Sequence, residues 1–161
     1  YVKFPGRFLL YGKVLAVNDD KAMVEKLLDR RYDLRETLII SDAGKLDRFY
    51  NRTVNGSVNL VSQKANSVTL EADSDNDAFL YVSDTYYPGW RAYVDGRRTK
   101  IYRANLAFRA VQVPKGKHTV VFKYVPMSFY IGLCLTCIGI VLCIFLWRRK
   151  DRDIRPEERS P

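Results

Sequence analysis

A chain of 161 residues that is 47% hydrophobic and 28% charged has the apolar material for a core and too much of it for a disordered segment. The formal net charge is +9, and the three cysteines, Cys134, Cys137 and Cys143, fall in one apolar stretch, so no disulfide framework is expected elsewhere. With His118 as the single histidine and no nucleophile–base or metal-ligand constellation, the sequence nominates no catalytic residue, metal site or cofactor.

In chain order, the opening stretch YVKFPGRFLL carries neither an initiator methionine nor the pattern of a secretory signal, so the expectation is a C-terminal piece of a longer, exported protein. Arg7 to Val17 (RFLLYGKVLAV) is β-prone enough for one strand. Asn18-Asp19-Asp20 supplies N-cap chemistry, and a short helix is expected from about Lys21 to Asp29, with Met23, Val24, Leu27 and Leu28 at helical spacing. Thr37 to Ser41 (TLIIS) reads as a buried strand and 42–55 as a loop. Alternation of period two then takes over, in runs at 57–63, 67–72, 79–83, 90–94, 99–102, 108–113 and 118–124, which is the signature of a β-sandwich. Asp95-Gly96 offers the positive-φ pair of a tight hairpin, and Pro114 to Lys117 serves the next turn. In the last run Val120, Phe122 and Tyr124 share the inward face.

Phe129 to Trp147 runs 19 residues without a charge, and at about 1.5 Å per residue it spans the roughly 30 Å hydrocarbon core. Arg148-Arg149-Lys150 follows directly, and basic residues flanking a span stay inside. The expected localisation is the cell membrane, with 1–128 extracytoplasmic and the tail cytoplasmic. Gly132, Thr136, Gly139 and Cys143 recur along one face of the span, a stripe suited to packing against other helices of the same parent chain. Cys134 and Cys137 form a C-x-x-C, but hydrocarbon denies the water that thiolate chemistry needs. The fold expected is therefore mainly β: a β-sandwich-like extracytoplasmic domain with one short N-terminal helix, followed by a single transmembrane helix. Its expected parts are 1–56 (strand-helix-strand), 57–126 (sandwich), 127–147 (span) and 148–161 (basic tail).

The positive charge is uneven. Residues 1–90 stand at −1, whereas 91–123 carry Arg91, Arg97, Arg98, Lys100, Arg103, Arg109, Lys115, Lys117 and Lys123 against Asp95 alone. A basic surface beside a bilayer attracts anionic headgroups at about 1 kcal/mol per well-placed side chain, so a bilayer with anionic lipids is an expected partner. Topology removes nucleic acid, and a merely solvated basic face reads equally well.

Asp73, Asp75 and Asp77 have a spacing like that of a calcium loop, but the downstream Gly and Glu are missing and a solvated turn is expected. The run from Ser83 to Gly96 differs in kind, placing Tyr86, Tyr87 and Trp90 around Pro88-Gly89, and YRANLAFR (Tyr102 to Arg109) follows. Rings stack on sugar C–H faces and guanidinium groups fork onto phosphate oxygens, so this mixture suits carbohydrate and phosphate recognition. The candidate ligand-binding residues are Tyr86, Tyr87, Arg91, Arg103, Asn105 and Arg109, with Trp90 expected mainly in the core. Residue types alone favour the plainer arrangement, in which Trp90 plugs the sandwich and the tyrosines brace the loop.

The run SDTYYPGWRAYVDGRRTKIYRANLAFRAVQVPKGKHTVVFKYVP resembles the C-terminal segment of the YfhO family of bacterial membrane proteins. Three blocks carry the resemblance: YYPGW-x-A-x-VDG, R-A-N-x-A-F-R and P-x-G-x-H-x-V-x-F-x-Y-x-P, ahead of a final span. The similarity extends from about Pro5 to Trp147, with Gly6 standing between Pro5 and Arg7 as a departure. The resemblance implies a multi-spanning parent similar to glycosyltransferases that use polyprenyl-phosphate sugars to decorate cell-envelope polymers. It implies a catalytic acidic residue in an N-terminal loop outside this sequence, so no residue here inherits a catalytic role. The function expected is an accessory domain that positions a lipid-linked sugar or envelope glycopolymer; the alternative is a structural module that braces the membrane domain.

Overall fold

The computed structural model describes residues 6–41 and 49–153. In chain order the elements are β1 (Phe8–Tyr11), β2 (Lys13–Val17), α1 (Asp20–Leu28), β3 (Thr37–Ser41), β4 (Phe49–Asn51), β5 (Gly56–Lys64), β6 (Ser67–Ser74), β7 (Ala78–Thr85), β8 (Trp90–Val94), β9 (Arg97–Thr99), β10 (Tyr102–Ala104), β11 (Phe108–Val113), β12 (Gly116–Tyr124) and α2 (Met127–Asp153). The chain divides into two compact units between Val125 and Pro126. The first holds two sheets and the short helix; the second holds α2. The fold is mainly β, as the alternating runs require.

The larger sheet runs β1-β7-β11-β10-β3-β2-β4 and the smaller β5-β6-β12-β8-β9. The larger one draws strands from both sides of residue 56. Two strands far apart in that order, β1 and β2, are joined by a single residue. The stretch expected as one strand breaks at Gly12: β1 pairs with β7 (Phe8 opposite Val82), while β2 runs parallel to β3 and antiparallel to β4. The Arg52 amide donates to the Gly12 carbonyl at 2.8 Å, and a Cβ on Gly12 would lie 2.1 Å from the Arg52 carbonyl oxygen. Only glycine admits that approach. The sheet therefore curls until β1, at one end of the strand order, and β2, next to the other end, become one bent strand.

Curling gives β7 two buried faces. Leu80 and Val82 join Val111 and Val113 of β11 against Leu70, Ala72, Ala92, Val120 and Phe122 of the smaller sheet, forming the sandwich core. Phe79 and Tyr81 point the other way, into a second core with Tyr11, Val14, Leu38 and Ile40 inside the curl of the larger sheet. Fully buried strands read as continuous apolar runs, which is why Ala78–Val82 is apolar at every position.

On the outer face of β3, Ile39 is covered by α1 through Met23, which is completely buried. The N-cap is Asp19, whose carboxylate accepts from the Ala22 amide at 2.7 Å. Of the four apolar residues expected on its inner face, Val24 and Leu28 are exposed. A two-turn helix laid on one strand covers a single narrow stripe, and Met23 and Leu27 fill it.

Two expectations are corrected. The region 42–55, read as a loop, contains β4 at Phe49–Asn51, with 42–48 outside the described residues. The run at 99–102 is not one strand, since Thr99 ends β9 in the smaller sheet and Tyr102 begins β10 in the larger, so Lys100-Ile101 carries the chain between sheets. The tail beyond Asp153 lies outside the described residues.

In the second unit, Met127–Lys150 is a helix long and apolar enough to cross a membrane. On its small-residue stripe, the Thr136 hydroxyl donates to the Gly132 carbonyl at 2.9 Å, and Gly132 and Gly139 face open space.

Candidate ligand-binding site

The YYPGW turn begins where β7 ends and finishes where β8 starts. The Tyr86 amide donates to the Ala107 carbonyl at 2.6 Å, and the Val125 amide donates to the Gly89 carbonyl at 2.8 Å, so both ends are pinned to the sheets. Gly89 sits at φ +106°, and a Cβ there would meet the Tyr124 ring at 2.9 Å. The turn is thus clamped against the end of β12, and its aromatic side chains gather there. The Trp90 and Tyr87 rings lie 5.4 and 6.3 Å from the Tyr124 ring.

Two depressions flank this aromatic wall, and Tyr87 and Trp90 line both. The first, about 520 Å³, is completed by Tyr86, Arg91, Arg98, Thr99, Lys100 and Ile101. It brings three cationic side chains beside three rings. The second, about 470 Å³, is completed by Ala65, Asn66, Asp84, Thr85, Arg109 and Tyr124.

Beneath the second depression lies the domain's most costly group. The Arg109 side chain is 1% exposed, with its guanidinium stacked between Trp90 at 4.0 Å and Phe122 at 4.9 Å. Its Nη2 donates to Asp84 at 2.8 Å, while Nε and Nη1 have no acceptor among the described residues. Arg7 grips the same carboxylate from outside with Nε at 2.9 Å and Nη2 at 3.0 Å. Burial alone would push the Asp84 carboxyl up; the Arg7 hydrogen bonds and the Arg109 charge outweigh it and hold the group below its ordinary range. Desolvation also lowers the Arg109 pKa. Trp90, expected mainly in the core, is half-buried, one side on Arg109 and the rest forming the wall.

Tyr86, Tyr87 and Arg91 therefore meet at the first depression, and Arg109 lies under the second. Arg103 and Asn105 stand elsewhere, at the β10–β11 turn. There Asn105 and Leu106 adopt φ +44° and +70°, the second of which is costly for a bulky residue. Asn105 holds the strain by accepting from the Ile39 amide at 3.1 Å and donating its own amide to the Ile39 carbonyl at 2.9 Å. Arg103 donates to the Leu106 carbonyl and pairs with Asp20 of α1. Asn105 fastens the turn to β3, and Arg103 fastens the turn and α1 to β10.

The sequence reading omitted Arg98, Lys100, Asn66, Asp84 and Tyr124. The first had a usable signal: a two-residue Asp95-Gly96 turn fixes Tyr93 opposite Arg98 and so places Arg98 on the Arg91 face. Lys100 follows β9 and Asp84 precedes the turn on β7, close in sequence but without a local pattern, while Asn66 and Tyr124 come from distant parts of the chain.

A third depression, about 780 Å³, lies along β9 and includes Asp95, Arg97, Gln112 and His118. No aromatic wall faces it. Both His118 ring nitrogens meet acceptors, Nδ1 the Asp95 carboxylate at 2.5 Å and Nε2 the Lys115 carbonyl at 3.1 Å, an arrangement that only the imidazolium satisfies fully. The Asp95 hydrogen bond, then the Lys115 carbonyl, raise the His118 pKa above 6.5. Since the folded-state value is the higher one, this stabilisation is complete below pH 6.5 and is lost as pH rises through the raised value. The stability advantage of wild type over His118→Gln should shrink as pH rises above 6.5 in chemical denaturation; a constant gap would show that His118 does not titrate with folding.

An apolar helix of spanning length that follows a β-rich domain in sequence points to a membrane protein. A family described as "Bacterial membrane protein YfhO" matches residues 29–136, and the chain belongs to that family. It is similar to the "Uncharacterized protein YfhO" of Bacillus subtilis (strain 168), with 27% identity over 85 residues, covering 53% of this chain and 10% of that protein. The chain thus aligns with about a tenth of the length of this relative. No solved structure matches it.

Proposed function

We propose that this chain is the extracytoplasmic C-terminal domain and following span of an envelope glycosyltransferase, and that its aromatic-basic depression positions a phosphate-bearing, lipid-linked sugar or glycopolymer at the membrane surface. The observation that carries this reading is the convergence of Tyr86, Tyr87 and Trp90 with Arg91, Arg98 and Lys100 around one depression of about 520 Å³. Exposed guanidinium and ammonium groups hold phosphate oxygens, and ring faces hold the sugar or isoprenoid portion beside them. In this reading 1–128 face outward, the basic tail stays inside, and anionic lipids add attraction through Arg97 and Arg98 on β9.

The basic surface is smaller than its sequence count of nine. Arg109 is interior, Arg103 is tied to Asp20, and Lys117 pairs with Glu71 at 3.4 Å. Of the six that remain, Arg91, Arg98 and Lys100 line the first depression and Arg97 and Arg98 stand on β9, so the proposed recognition is assigned to these four by position.

In the full-length parent, Tyr86→Ala combined with Arg98→Glu should reduce glycan decoration of the envelope at least tenfold, with the amount of folded protein unchanged. Unchanged decoration would favour the second reading, a brace without a ligand. That reading draws support from Arg103 and Asn105, whose polar groups are consumed in fastening a turn. Co-sedimentation of the same variant with anionic vesicles should also fall, and equal binding of wild type to neutral and anionic vesicles would remove the lipid contribution.

A further inference from the structure

The second depression differs in kind from the first. Its exposed wall is mainly the rings of Tyr87, Trp90 and Tyr124, which face one another at tilts of 46° and 49°. At its rim the Asn66 amide and the Thr85 hydroxyl are exposed, and neither side chain makes a hydrogen bond among the described residues. The charged groups are already committed: Asp84 is held by Arg7 and Arg109, and the remaining Arg109 nitrogens are sealed from solvent beside Trp90 and Phe122. What is presented to a ligand is ring faces and neutral donors and acceptors.

We infer that this depression is a subsite for a neutral pyranose. One C–H face of the sugar stacks on the Trp90–Tyr124 wall, and its hydroxyls meet Asn66 and Thr85. An anion would find no available cation here. An acyl chain would use the rings alone and would displace water from the Asn66 and Thr85 groups without replacing its hydrogen bonds. The volume of about 470 Å³ falls within the usual range of small-molecule sites. This inference rests on the proposed glycan-binding role and divides the labour within it: phosphate on one side of the Tyr87–Trp90 wall, sugar on the other.

The two tryptophans of the chain allow a direct test. In the full chain reconstituted in phospholipid nanodiscs, Trp147→Phe leaves Trp90 as the sole indole reporter. Titration with methyl glycosides of glucose, galactose and N-acetylglucosamine should give, for at least one of them, a saturable change in Trp90 emission with a dissociation constant on the order of millimolar. Asn66→Ala should weaken that binding at least fivefold. Asn66 lies in an exposed turn without positive φ, so the thermal midpoint should not move. Glycerol phosphate, titrated separately, should respond to Arg98→Glu and not to Asn66→Ala. No saturable response to any glycoside, an undiminished response in Asn66→Ala, or a response to 1-hexanol alone would overturn the pyranose subsite. Insensitivity of glycerol phosphate binding to Arg98→Glu would overturn the basic site separately.

Discussion

Asp84→Ala should be among the most destabilising single substitutions in the β domain, lowering the unfolding free energy by about 3–5 kcal/mol. The reason is the charge it strands. Arg109 is 1% exposed and has one oxygen acceptor, so removing Asp84 leaves a desolvated cation with none. Arg7 loses the same partner from outside. Arg109→Met should cost less than half as much, because it removes the buried charge and leaves Asp84 paired with Arg7. Urea denaturation followed by Trp90 fluorescence in the Trp147→Phe background measures both. Equal losses would show that the packing of the arginine, and not its charge, matters. Acid should mimic Asp84→Ala: with a lowered folded-state pKa, the contribution of Asp84 is present above its ordinary range and is lost as pH falls through the folded value.

Gly12→Ala should cost about 3 kcal/mol, at the upper end of what overpacking usually costs. Its Cβ would press on the Arg52 carbonyl oxygen at 2.1 Å and on the Val54 side chain at 2.6 Å, and the backbone contact cannot rotate away. Gly96→Ala supplies the comparison. It has φ +78° and nothing within 4 Å, so only left-handed backbone strain of about 1–2 kcal/mol is added. If Gly96→Ala proved the more costly by thermal denaturation, the close approach at Gly12 would not be a real constraint.

The alternation of 57–124 made the sandwich strands legible, and Asp19 announced α1, because strand faces and helix caps are written in local chemistry. The break at Gly12 was not legible. Nothing beside RFLLYGKVLAV says that Arg52 must pass within hydrogen-bond distance, since that crossing belongs to a residue forty positions away. The site divides in the same manner. Tyr86, Tyr87 and Arg91 sit on one turn and were found together, whereas the Asp84–Arg109–Arg7 cluster joins β7, β11 and the approach to β1. Arg103 and Asn105 resembled ligand groups because strained turns and ligand sites use the same hydrogen-bonding side chains.

The curled larger sheet sets an order of events in biogenesis. β1 emerges early, yet its partner is β7; β3 pairs with β10 across an interval of similar length. Contacts so distant in sequence form late, after the cost of closing long loops has been met. During synthesis β1 must keep an edge open until β7, residues 78–85, has been made, and an open apolar edge is a site for mispairing. The smaller sheet has no such delay at its start, since β5 and β6 form a local hairpin with a two-residue turn. Residues 56–74 are therefore able to pair locally, whereas β1 waits for β7 and the smaller sheet closes only when β12 joins β6 and β8.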